Sequence, residues 1–209
     1  MFSLQTIFGK GDKFYGLLEQ SADAAHESAK ALQALVTQAD HAPVMAAFAA
    51  TRTREKALAA QISEELVNTF VTALDREDIE ALNSALYKIP KSVEKFAERY
   101  DIVAARLEGV DFGQRALVLE RSTAVVAEMI GELRRGLRID PVRKLQDRLQ
   151  ALESEGDRML LAPYRTLYVE SSDAMRAMLA KDLFELLEKA IDKCRDVGNI
   201  VYSIVLKHS

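Results

Sequence analysis

Residues 188–207 read "EKAIDKCRDVGNIVYSIVLK", and their spacing decides the fold. Extended back to Leu183, the stretch places Leu183, Leu187, Ala190, Cys194, Val197, Val201, Ile204 and Val205 at three- and four-residue steps. At ~100° per residue these form one apolar arc of a helix. Glu188, Asp192 and Asp196 follow one another at four-residue steps roughly opposite that arc. Like charges at i and i+4 weaken an isolated helix by about 0.2–0.5 kcal/mol per pair. The row is therefore either a solvated polar face or a face balanced by a cation, and the helix alone supports both.

The same period runs through the rest of the chain. "LLEQSADAAHESAKALQALV" carries Leu17, Leu18, Ala25, Ala29, Leu32 and Leu35, and predicts a first helix over about 12–39. Pro43 suits the first turn of a second helix over about 43–73, with Met45, Phe48, Leu58, Ile62, Leu66 and Phe70 on its apolar side. Asp75 and Asp78 have the spacing of a capping residue and an acid three positions on, opening a third helix to about 108 that Pro90 should kink. A fourth spans about 112–135 and ends at Gly136. Asp140 followed by Pro141 starts a fifth, to about 169 with a bend at Pro163, and a sixth covers about 174–207.

Composition agrees with long helices and few turns. Of 209 residues, 49% are hydrophobic and 29% charged, with only nine glycines and four prolines. That is about half the usual combined share of the two turn formers. A net charge of −4 and the lack of a long Lys/Arg run argue against a nucleic-acid partner. The single cysteine, Cys194, lies in the apolar arc and makes no internal disulfide, which suits a cytoplasmic protein. "MFSLQTIFGKGDKFYGLLEQ" lacks the charged start and apolar core of a signal peptide, and no run of about 18 apolar residues follows. A link to a membrane would run through a partner.

Six helices in two sets of three suggest an internal repeat. Glu55 stands 20 residues before Asp75, as Glu153 stands 20 before Asp173, while the last helix carries about seven extra residues. Residues 1–109 and 110–209 then form two three-helix bundles.

"LESEGDRM" places Glu153 and Asp157 at the same four-residue step on helix 5, beside an arc of Leu145, Leu149, Leu152, Gly156 and Leu160. If helices 5 and 6 pack antiparallel, with Gly156 letting the backbones approach, five carboxylates share an outer groove. An all-oxygen set of that kind suits Mg, Ca, Mn or iron. His26, His41 and His208 are scattered, so a zinc site or a ferritin-like di-iron centre lacks its ligands. No nucleophile motif or phosphate loop is present, "GKG" at 9–11 being too little for one.

Three stretches together resemble the PhoU-like family: "LDREDIEAL" opening helix 3, "LESEGDRM", and the ending "LFELLEKAIDKCRDVGNIVYSIVLKHS". With the beginning "MFSLQTIFGKGDKFYGLLEQSADAAHESAKAL", the resemblance is to the branch associated with Pit-type inorganic phosphate transporters. It implies two tandem three-helix bundles, surface metal clusters held by E(D)xxxD motifs, and a non-enzymatic cytoplasmic regulator that binds the transporter, peripheral to the inner membrane. Glu153, Asp157, Glu188, Asp192 and Asp196 match the metal-ligand positions.

The first half departs from the pattern. Glu55 matches the first acid, but Ala59, Asn83, Tyr87 and Lys91 stand where the others should be, so this site is expected to be lost. Lys91 is either a fixed positive charge near Glu55 or a plain surface lysine. Arg52, Arg54 and Lys56 read as an anion-favouring or simply solvated basic turn. Two other functions compete: a metal-free helical adaptor that dimerises through an apolar face, and a metal-dependent phosphohydrolase, for which no general acid or oxyanion donor is evident.

Overall fold

The computed structural model describes residues 4–37, 42–165 and 173–208, with side chains at 13–37, 45–160, 164–165 and 173–208. All regular structure among them is helical: α1 (Leu4–Thr37), α2 (Ala42–Asn68), α3 (Arg76–Val103), a 3-10 turn at Ala104–Arg106, α4 (Gly113–Arg134), α5 (Ile139–Arg165) and α6 (Ala174–Lys207). The all-α class expected from the periodicity is the one observed. α2 and α5 have 27 residues each, and α6 has 34 against 28 for α3.

Polar pairs fix the direction of each helix against its neighbours. Lys13–Glu65 and Arg54–Glu27 run α1 antiparallel to α2, and Gln146–Asn199 with Glu153–Arg195 do the same for α5 and α6. The helices α1, α2 and α3 pack on one another, as do α4, α5 and α6, and the two sets join through α1 against α4 and α3 against α6. His26 Nδ1 lies 3.0 Å from Thr123 Oγ1 across the first of these seams. The second is filled by rings: Phe112 sits 5.7 Å from Phe96 and from Tyr100 and 4.7 Å from Phe184, centroid to centroid. Such ring pairs add to what area burial alone contributes.

The core is built from the arcs read in the sequence. Leu183, Leu187, Ala190, Cys194, Val197, Val201, Ile204 and Val205 are all buried. Burial pushes the Cys194 thiol well above its ordinary pKa, so the group behaves as a small apolar filler. A Cβ on Gly156 would lie 3.2 Å from Ile191 Cδ1, consistent with close approach there, but the tighter point is Gly198. A Cβ there would stand 2.6 Å from Leu149 Cδ2 and 2.7 Å from Gln146 Oε1, both on buried residues.

Several element ends differ from expectation. The second helix stops at Asn68, and Phe70, expected on its apolar side, is 99% exposed. The guanidinium of Arg76, in the first turn of α3, donates to the carbonyls of Leu66 and Thr69 and closes the helix there. α3 continues through Pro90 as one helix; Asp75 is its cap residue, and its backbone carbonyl rather than its side chain accepts, from Asp78 and Ile79. Asp173 caps α6, its side chain accepting from the Arg176 amide at 3.0 Å. α5 begins at Ile139, one residue ahead of the expected cap Asp140. Gly136, φ +111°, follows α4 where the helix was expected to end. The expected helix ends at 39 and 169, His41 and the Pro163 side chain lie outside the described residues.

Candidate functional site

Along the groove between α5 and α6 members of both acidic rows meet: Arg195 bridges Glu153 and Asp192, and Glu188 lies in the field of Asp157 and Asp192. Glu153 and Glu188 are partly buried there, Asp192 and Asp196 are about one-third to two-fifths exposed, and Asp157 is exposed. Burial pushes the Glu188 carboxyl above its ordinary pKa. Arg115 pulls it down, and Asp157, Asp192 and Glu185 add to the push. The acids therefore feel one another.

Basic side chains already meet much of that charge. Arg195, one position before Asp196, bonds Glu153 through Nη1 and lies 3.5 Å from Asp192 through Nη2. Lys193 Nζ is 2.8 Å from Asp196. Beneath the groove Arg115 of α4, 2% exposed, donates to the carbonyls of Phe184, at 3.1 Å, and Gly156. Its guanidinium faces the charges of Glu188 and Asp157. Among the described residues no three His, Cys, Asp or Glu side chains converge as a metal-ligand group. The donor chemistry fits a hard cation, while the folded arrangement gives the cation's place beside Glu153 and Asp192 to Arg195.

The equivalent region of the first half has its own arrangement. Glu55 is 4% exposed; Ser28 Oγ donates to it at 3.1 Å and Arg52 Nη1 at 3.4 Å. Arg52 also donates to Glu94 at 3.0 Å and stacks 4.2 Å over the Tyr87 ring. Burial raises the Glu55 pKa from 4.5 to about 7, against the pull of Ser28 and Arg52. Asn83 donates to the Ala59 carbonyl at 3.0 Å, joining two of the positions where acids were expected. An open groove of about 320 Å³ lies alongside, lined by Lys56, Ser63, Asn83, Ser84 and Tyr87.

Lys91 is exposed, the plain surface lysine of the sequence reading, and the fixed positive charge beside Glu55 is Arg52. Arg52, Arg54 and Lys56 lie within α2 as expected; Arg54, paired to Glu27, and Lys56 are exposed, while Arg52 departs from the expected solvated set and is buried. Sequence reasoning missed Arg52, Glu94, Arg115 and Arg195 as partners of the acids. Arg52 and Arg115 carry a readable signal, since each falls in phase with buried positions of its helix, Phe48 and Glu55 in α2 and Leu119 and Ser122 in α4.

This all-α arrangement of six helices is the PhoU-like fold. The structure matches a PhoU-like protein from Shewanella oneidensis with a TM-score of 0.81 at 17% identity, over 93% of this chain and 99% of that one. A second protein from the same organism, described as a candidate PhoU-like phosphate regulatory protein, matches with a TM-score of 0.80 at 16% identity over the same shares. In sequence the chain is similar to the UPF0111 protein YkaA of Bacillus subtilis, 22% identical over 149 residues, which cover 70% of this chain and 71% of that protein. No protein-family model matches the chain.

Proposed function

We propose that this chain is a non-enzymatic regulator or accessory protein of inorganic phosphate transport, acting by docking on a Pit-type transporter at the cytoplasmic face of the membrane. The observation that supports it most is the likeness in fold, along 93% of the chain, to a protein described as a candidate phosphate regulator. The terminal stretch 183–209 adds the resemblance to the Pit-associated branch. Among the described residues no helix is long and apolar enough to cross a membrane, so docking would run through the transporter. In the test, a Pit-type transporter is immobilised in detergent and the purified chain passed over it. Retention, with altered phosphate uptake in a deletion strain, is the expected result; neither effect would remove the reading.

Within this reading the two halves, 1–109 and 110–209, differ in how their acids are balanced. In the first, Arg52 bonds both Glu55 and Glu94, and burial holds a proton on Glu55 up to about pH 7. In the second, Glu153, Asp157, Glu188, Asp192 and Asp196 would hold a hard cation such as iron, Mn, Mg or Ca, which would supply the charge that pins α5 to α6. Arg195 competes for the same carboxylates, because its guanidinium occupies Glu153 and Asp192 in the folded chain.

That competition gives a direct prediction. Arg195→Ala, purified without a histidine tag and reloaded with Mn or Fe, should retain more metal than the wild type by elemental analysis. A variant with Glu153, Asp157, Asp192 and Asp196 changed to their amides should retain none. The ion pairs of Arg195 and Lys193 also favour a second reading, a metal-free regulator in which basic side chains alone neutralise the groove. Failure of Arg195→Ala to take up metal would decide for it.

A further inference from the structure

We infer that the α2–α3 turn is a protein-docking tip whose partner is a Lys/Arg-rich cytoplasmic loop of a membrane transporter. This rests on the transporter reading above and adds the surface and the chemistry of the contact. Phe70 is 99% exposed, Val67 81% and Val71 52%. Leu206, 49% exposed, reaches the same end of the molecule, because its neighbour Lys207 bonds Asp78 in the first turn of α3 at 2.6 Å. A bulky aromatic in water at the centre of an apolar patch marks a contact surface more often than chance exposure does.

The exposure is built into the turn. Thr69 and Leu74, on either side of Phe70 and Val71, are 3% exposed and anchor the turn in the core. The Arg76 guanidinium ties it from the other side, donating to the carbonyls of Leu66 and Thr69. The Thr72 hydroxyl closes it by donating to the Leu74 carbonyl at 2.7 Å. Phe70 is thus presented on a braced frame, which lowers the ordering cost of binding.

Charge selects the occupant. Glu64, Asp75 and Glu77 are exposed around the turn and, with Asp78, outnumber its cations Arg76 and Lys207, the latter paired with Asp78 and in the field of Asp75 and Glu77. An apolar anchor in an acidic ring fits an apolar pocket with a basic rim. Cytoplasmic loops of membrane proteins carry an excess of Lys and Arg and meet that requirement. An anionic bilayer surface would repel the ring, and a two-fold contact with a second copy would set two acidic rings face to face.

The test uses the immobilised transporter with wild type, Phe70→Ser and the double variant Glu64→Lys/Glu77→Lys. Phe70→Ser should weaken retention at least about tenfold, as expected of an aromatic anchor, with an unchanged unfolding midpoint. The charge variant should weaken it too, and its loss should shrink at high salt. Undiminished retention of Phe70→Ser, beside a wild type that binds, overturns the docking tip and leaves the functional reading standing. A wild type that is not retained overturns both. Phe70-dependent sedimentation with phosphatidylethanolamine/phosphatidylglycerol vesicles, or a Phe70-dependent dimer in light scattering, replaces the basic loop with a lipid surface or a second copy.

Discussion

Arg115→Ala is expected to destabilise the protein by about 2–5 kcal/mol, the range for truncating a long buried side chain to alanine. Arg115 is among the largest fully buried side chains and spans α4, α5 and α6 through the carbonyls of Gly156 and Phe184. Both carbonyls lie within helices, so their loss of a second donor is the lesser cost. The greater costs are the cavity left by a long side chain and the removal of the positive charge facing Glu188 and Asp157. Arg115→Met keeps most of the volume and should be less harmful than alanine. Arg115→Lys should fall short of the wild type, because a single ammonium lacks the fork that reaches two helices. Denaturant titrations at neutral pH decide the matter, with the midpoint falling for alanine while the slope stays constant. An unchanged midpoint for Arg115→Ala would mean that this guanidinium does not hold the second helix set together.

The six helices were legible because their apolar periods are long and interrupted by few prolines and glycines. The end of α2 was not. The stretch "NTFVT" at 68–72 continues a plausible apolar arc, and what stops the helix is Arg76, whose side chain reaches back across the turn. Phe70 changed from an expected core residue to the most exposed large apolar side chain of the turn for that one reason. The acidic rows on α5 and α6 were legible as spacing, and the antiparallel packing that the sequence left as a condition is the one observed. Their basic partners were not, since Arg195 faces Glu153 only once the register of α5 against α6 is set. Register depends on how Gly198 admits Leu149 and Gln146, a three-dimensional fit that no spacing within one helix encodes.

The pH dependence of stability should be dominated by Glu55 and should change most when Arg52 is removed. The folded chain holds the Glu55 proton up to a pKa of about 7, against an ordinary value of 4.5, so between these limits the folded state binds more protons than the unfolded one. Its contribution to stability is fully present below about pH 4.5 and is lost as the pH rises through 7. The gap between the folded and unfolded affinities for that proton corresponds to about 3 kcal/mol. Glu55→Gln should flatten that slope and leave the opposite, smaller one from His26, whose pKa burial holds below its ordinary value and whose stabilisation fades as the pH falls. Arg52→Met removes the guanidinium between Glu55 and Glu94 while keeping apolar bulk over Tyr87. At pH 5, with Glu55 protonated, it should cost little. At pH 8 the buried carboxylate loses the charge that balances it, and the cost should approach about 3 kcal/mol. The double variant Arg52→Met/Glu55→Gln should recover most of that loss at pH 8, because the two side chains act as one unit. Equal losses for Arg52→Met at pH 5 and pH 8 would show that Arg52 stabilises by packing alone, and that the first half holds no charge-balanced core.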